Sequence, residues 1–213
     1  MLSPHIYVAL VHERHQTFLA QAEADGRSQR ARRHRRRRGA TAAVTGRPVV
    51  LRDGSAVLIR PVRRADAPLL ADGFARLSAR SRRLRFLSPK EELSSAELGY
   101  FTDVDHHDHE ALVALDHADG RGVGIARYIR DAADPQAAEI AVTVIDDWQG
   151  RGLGTELVAQ LSERARSEGI RRFTALVAAD NPAMARLLRN VRADLVRREP
   201  GALQYEITLG PAQ

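Results

Sequence analysis

Three observations predict a mixed α/β domain. Strand-like and helix-like segments alternate through the second half of the chain. The apolar stretch AEIAVTVI runs through a glycine-rich loop directly into an amphipathic stretch, TELVAQLSERAR. Turn signals such as Asp53-Gly54 separate short apolar runs in the first half.

The elements follow in order. VVLRDGSAVLIRPV reads as a hairpin around Asp53-Gly54 and opens the domain at about residue 48. Asp66 precedes APLLADGFARL, where Leu69, Leu70, Phe74 and Leu77 recur at helical spacing and Pro68 falls in the tolerant first turn. A short second helix is expected around SRRLRFL. Ser94 and Glu97 then form a capping-box pattern ahead of AELGYF. ALVAL and GVGIARYI, joined by HADGR, read as a second hairpin. A strand over 138–145 leads through the glycine loop to a helix over about 154–167 that stops at Gly169. The strand FTALVA, the helix PAMARLLRNV and strands near 194–198 and 203–209 complete the domain to residue 210.

Composition narrows the function. No apolar run is long enough to cross a bilayer and the N-terminus lacks signal-peptide order, so a soluble, cytoplasmic protein without membrane association is expected. The chain has no cysteine, which excludes disulfides, thiolate metal sites and a cysteine nucleophile. The net charge of +6 is uneven. Residues 1–47 hold ten arginines against Glu13, Glu23 and Asp25, or +7, which leaves 6 − 7 = −1 for the remainder. SQRARRHRRRRGA repels itself and reads as a disordered, solvated arm, or as sequence upstream of the true start. Nucleic-acid binding through this arm is the less favoured reading, and the near-neutral domain gives no further support for it.

The glycines carry the chemistry. Gly150, Gly152 and Gly154 precede a helix whose apolar stripe is Leu153, Leu157, Val158, Leu161 and Ala165. Each glycine in a helix costs about 1 kcal/mol relative to alanine, so something must offset them. A helix start presents unsatisfied N–H groups and the positive end of the macrodipole, and a loop without side chains lets an anion approach. The site suits a phosphate or pyrophosphate. Its spacing is neither the dinucleotide G-x-G-x-x-G nor the P-loop G-x-x-x-x-G-K-[ST].

VTVIDDWQGRGLG resembles the acyl-CoA pyrophosphate loop of the GNAT superfamily of N-acyltransferases, with Gln149, Gly152 and Gly154 at the diagnostic positions. The match extends over about residues 49–209. LSARSRRLRFLSP, FTDVDHHDHEALVAL and DDWQGRGLG are similar to bacterial GNAT domains of the protein-lysine acetyltransferase type. The resemblance implies a mostly antiparallel central sheet flanked by helices. It also implies acetyl-CoA as cosubstrate, with no metal, and an amine acceptor, either a protein lysine or a small molecule.

It further implies residue roles. The backbone of Val142, Thr143 and Val144 pairs with the pantetheine arm as an added strand, and one of its amides can polarise the thioester carbonyl. Amides of Gln149, Gly150, Arg151, Gly152, Leu153, Gly154 and Thr155 hold the pyrophosphate. The Arg151 side chain either adds charge or is simply solvated. Asn181 contacts the cofactor arm, and its position before Pro182 also makes it an N-cap. Glu139 is the one acid in AAEIAVTVI. From the residues alone it is a surface acid; the resemblance makes it the general base, because a lysine-like amine is less than about 0.1% neutral at pH 7.

Three features qualify the match. Where many members have a tyrosine to protonate the thiolate, this chain has Leu188, which leaves a noncatalytic acyl-CoA sensor as the rival reading. Ala193-Asp194 stands where the family has Gly-Phe, so the end of this helix and the acceptor-side wall are not fixed by the pattern. The run Asp105, His106, His107, Asp108, His109 has metal-ligand chemistry, but five consecutive residues do not easily face one ion, so it reads as a polar loop. Trp148 reads as packing for the glycine loop.

Overall fold

The computed structural model describes residues 46–210. The expectations for the arginine-rich arm lie outside the described residues. Strands β1 (Arg47–Val50) and β2 (Ala56–Pro61) form the first hairpin, and Gly54 supplies the positive φ of +84° that its turn needs. Helices α1 (Ala67–Ala75), α2 (Ala79–Phe86) and α3 (Ser95–Thr102) follow. Then come β3 (His109–Asp116), β4 (Gly122–Arg130), β5 (Ala137–Val144), α4 (Leu153–Ser167), β6 (Arg172–Ala178), α5 (Pro182–Asn190), β7 (Asp194–Glu199) and β8 (Ala202–Thr208). Among the described residues no helix is long and apolar enough to cross a membrane.

The strands make one sheet in the order β1-β2-β3-β4-β5-β6-β8-β7. Each neighbouring pair is antiparallel except β5 and β6, which α4 joins as a crossover. That parallel pairing lasts three residues, Ala137 to Glu139 against Arg172 to Thr174. β5 stays with β4 through Val144, whereas β6 stays with β8 through Ala178. The sheet therefore opens as a wedge from Ile140 onward, and one edge of β5 has no strand partner there among the described residues.

The two faces are covered differently. Leu153, Leu157, Leu161 and Ala165 of α4 pack on Ala126, Tyr128, Ala138, Ile140 and Phe173, all buried in one core. Burial of each leucine contributes about 1.5–3 kcal/mol. On the other face α1 to α3 cover two smaller clusters, one around Val62, Val104, Ala111 and Val113 and one around Phe74, Leu77 and Ile145. The alternation along β5 follows: Ile140 and Val142 are buried on the α4 side, while Glu139 is exposed and Thr143 half-buried.

Local signals explain the helix starts. Ser94 Oγ accepts the Glu97 amide at 3.3 Å and Glu97 accepts the Ser94 amide at 2.9 Å, closing the expected capping box on α3. Ser78 caps α2 by accepting the Ser81 amide. Asp66 does not cap α1. Its carboxylate instead receives the Arg60 guanidinium at 2.7 and 2.8 Å and the Arg63 amide at 2.7 Å, with both side chains of the ion pair largely buried.

Burial pushes the Asp66 carboxyl up, but the Arg60 fork and the Arg63 amide outweigh it and hold the group below the usual range. Glu97 is lowered in the same way, burial being outweighed by Lys90 and Ser94. A depressed carboxylate adds stability above its unfolded pKa, and the gain is lost as pH falls through the folded value. The domain is therefore expected to lose thermal stability on acidification below about pH 4. Asp66→Asn should flatten that slope in melts recorded across the range.

Candidate active site

The loop after β5 begins with a 3-10 turn, Asp146–Trp148, and reaches α4 through Gly150 (φ +79°) and Gly152 (φ +95°). Both glycines are in a region that a side chain would strain. Gly154 has a different reason. A Cβ there would lie 3.5 Å from Leu187 and 3.8 Å from Val144, so the position faces the contact between α4 and α5.

The amide of Gln149 donates to Asp146 O at 3.1 Å and its side chain donates to Val144 O at 3.1 Å. The amides of Gly150, Arg151, Gly152, Leu153, Gly154 and Thr155 donate to no acceptor among the described residues. These N–H groups and the positive end of the α4 dipole make a cradle at the mouth of the wedge whose chemistry suits an anion. Gln149 thus braces the end of β5.

Arg151 is tied down. Its guanidinium pairs with Asp53 at 3.1 Å, donates to Asp147 O at 2.7 Å and stacks over Trp148 at 4.7 Å. The tip of the first hairpin thus rests on the loop, and the Arg52 amide donates to Arg151 O at 3.3 Å. The Arg52 side chain lies about 3.5 Å from where a Gly152 Cβ would be. Arg52 is a cation beside the cradle that sequence reading passed over, because a hairpin tip a hundred residues upstream gives no sign of its destination.

Across the wedge, α5 starts at Asn181, whose side chain caps the helix by accepting the Met184 amide at 3.0 Å. The two helix starts, at Gly152 and at Asn181, thus lie beyond the ends of the strands that diverge. Helix α2 reaches both loops. Ser78 and Ser81 hydroxyls donate to Asp146 at 2.8 and 2.7 Å, while Arg83 pairs with Asp180 at 2.6 Å. Leu188 is buried in the core, so no phenol occupies that position.

Glu139 belongs to the last register pair before β5 and β6 part, on the face that α1 to α3 cover. Arg85 of α2 is its electrostatic neighbour: burial lowers the Arg85 pKa, and the charge of Glu139, followed by that of Tyr100, raises it again. Arg127 of β4 is opposite Ala141 and is only 5% exposed. It donates to His109 Nε2 at 3.1 Å and lies over the Phe101 ring at 4.4 Å. His109 stacks on Tyr100 with centroids 5.0 Å apart. Burial, followed by the Arg127 and His106 charges, holds His109 well below the usual histidine range, so the ring is neutral and can accept that hydrogen bond.

Sequence reading also missed Arg85 and Arg127. Arg85 is hidden among the four basic residues of α2. Arg127, a lone charge inside GVGIARYI, was a readable signal.

The run Asp105 to His109 separates into individual structural contacts. Asp105 accepts three amides of its own turn, His106 meets Glu110, His107 meets Glu168, Asp108 pairs with Arg130, and His109 meets Arg127. Among the described residues these side chains form no group able to hold a metal ion.

A mostly antiparallel sheet, parted between two strands and flanked at the gap by a glycine-lined helix start, defines an acyltransferase-type α/β fold. The chain belongs to the acetyltransferase (GNAT) family, whose model matches residues 77–191. It is 42% identical over 152 residues to Acetyltransferase PA5475 of Pseudomonas aeruginosa, covering 70% of this chain and 81% of that protein. It is 34% identical over 170 residues to Acetyltransferase Pat of Mycolicibacterium smegmatis, covering 80% of this chain and 51% of the relative, so the chain spans about half the length of that protein. The crystal structure of the GNAT domain of S. lividans PAT superposes with a TM-score of 0.73 at 32% identity, covering 77% of this chain and 97% of that one. At 18% identity and a TM-score of 0.56, covering 72% and 94% of the two chains, a Salmonella typhimurium protein solved with its cofactor acetyl-CoA shares the fold.

Proposed function

We propose that this chain is an N-acetyltransferase that moves acetyl from acetyl-CoA to a primary amine, a protein lysine or a small molecule, within a ternary complex. The observation that carries this reading is the row of six amides from Gly150 to Thr155 at the mouth of the wedge, which meet no acceptor among the described residues. The diphosphate of the cofactor sits on that cradle, with Arg52 beside it. The pantetheine arm runs down the edge of β5 at Val142 to Val144, which has no strand partner among the described residues and where main-chain groups can pair with its amides. Asn181 lines the far side of the gap.

The thioester then lies toward the apex of the wedge, where Glu139 is. Glu139 accepts a proton from the acceptor ammonium, directly or through water, and the neutral amine attacks the thioester carbonyl. A β5 amide stabilises the oxyanion. Attack forms the C–N bond; collapse of the tetrahedral intermediate breaks the C–S bond, and the second amine proton passes to water, leaving a neutral amide. With Leu188 in the tyrosine position, CoA leaves as thiolate, which its pKa near 8.5 permits.

The buried Leu188 also gives the rival reading, a noncatalytic acyl-CoA sensor, its one supporting observation. Thiol release from acetyl-CoA over a panel of amines decides between them. Amine-dependent release is expected; CoA binding without any release would establish the sensor.

A further inference from the structure

We infer that the pocket between α1 to α3 and the sheet selects acceptors bearing a carboxylate near the amine, with Arg85 and Arg127 as the pair that binds it. This inference rests on the acetyltransferase reading above and specifies its acceptor. The pocket is lined by apolar side chains, including Leu69, Phe74, Leu77, Phe86 and Phe101, and it reaches Thr143 of β5. The two arginines are its charged lining residues.

Among the described residues, Arg127 is set apart by having no carboxylate that acts on it, while Arg85 beside it feels the charge of Glu139 without an ion pair. Other shielded basic groups of the domain have one: Arg60 has Asp66, Arg130 has Asp108 and Lys90 has Glu97. Among the described residues no carboxylate lies within 4 Å of Arg127 or Arg85. Arg127 donates only to the neutral His109 ring and, at 3.4 Å, to Phe101 O. For Arg127, a buried guanidinium without an anion is costly, and the cost is recovered when a ligand supplies the charge. Burial, and then the Arg85 charge, lower the Arg127 pKa to about 9, so Arg127 is cationic at neutral pH and the two like charges repel each other.

Charge decides what enters. A bare ammonium meets two like charges in a low-dielectric pocket. An acceptor with both groups resolves this, because its carboxylate goes to the guanidinium pair while its amine is left for Glu139, the neighbour of Arg85. Guanidinium and carboxylate also match in planar, two-pronged geometry. The carboxylate comes either from a free amino acid or from an acidic residue beside a target lysine in a polypeptide.

The test uses the full chain, saturating acetyl-CoA and matched acceptors: phenylalanine with phenethylamine, lysine with cadaverine, and peptides with one lysine flanked by glutamate or by alanine. The acidic member of a pair is expected to have a kcat/KM at least about 10-fold higher, mostly through KM. The free and peptide pairs show which source is used. Arg85→Gln should bring the ratio toward one, and Arg85→Lys should recover part of it. Because Arg127→Gln removes a buried residue, Arg85 variants with unchanged melting curves carry the comparison.

Equal kcat/KM within every pair overturns the inference and leaves the acetyltransferase intact. If no amine releases thiol, the acetyltransferase reading fails, and calorimetry on the CoA-mixed protein then decides the pocket. There N-acetylphenylalanine should bind and N-acetylphenethylamine should not; equal behaviour overturns the inference.

Discussion

Glu139→Gln should lower kcat by about 10²- to 10⁴-fold while the KM for acetyl-CoA changes little. The amide keeps the size of the side chain and removes its basicity. Glu139 is an exposed residue on the sheet face, so thermal stability should stay within about 0.5 kcal/mol of the parent. A pH profile gives an internal check. The neutral fraction of a lysine-like amine rises about tenfold per pH unit below its pKa near 10.4, so the defect should shrink as pH approaches that value. Stopped-flow or thiol-coupled kinetics on both proteins would read it. An unchanged kcat would remove Glu139 from the proton transfer and leave a chain of waters as the acceptor.

Gly152→Val should abolish most cofactor binding, with a loss of about 100-fold or more in CoA affinity. The residue starts α4 at φ +95°, which a β-branched side chain adopts only under strain of about 1–3 kcal/mol. Relief of that strain turns the amides proposed to hold the diphosphate. The melting temperature should fall by several degrees as well. Gly154→Ala is the control, because a Cβ there meets Leu187 at 3.5 Å and Val144 at 3.8 Å, ordinary contact distances. Its fold should be kept, with helix propensity favouring alanine by up to about 1 kcal/mol. A loss of CoA affinity in that variant reports the closeness of the ligand to the helix.

Local chemistry made much of this domain readable in advance. The Asp53-Gly54 turn, the Ser94 to Glu97 box, Asn181 before Pro182 and the glycines ahead of Leu153 each act within a few residues, so the sequence displays them directly. The α4 stripe was legible because 3.6-residue periodicity selects one buried face. What could not be read depends on partners far apart in the chain. The parting of β5 from β6 after Glu139 arises from competing strand pairs, β4 on one side and β8 on the other. The linkage of α2 to Asp146 and Asp180 spans more than sixty residues in each case. Asp66 shows the same limit, since it precedes a helix in sequence yet is taken by Arg60 from the adjacent strand. For the site, Glu139 and the glycine loop stood out, whereas Arg52 and Arg85 acquired meaning only from the folded positions of the hairpin and of α2.

Titration calorimetry of the purified chain with CoA tests the backbone cradle most directly. Saturable binding of one CoA per chain is expected, with Kd of about 1 mM or tighter, and clearly weaker binding by Gly152→Val. No heat at millimolar CoA, or equal affinity in the two proteins, would contradict a diphosphate held by the Gly150 to Thr155 amides.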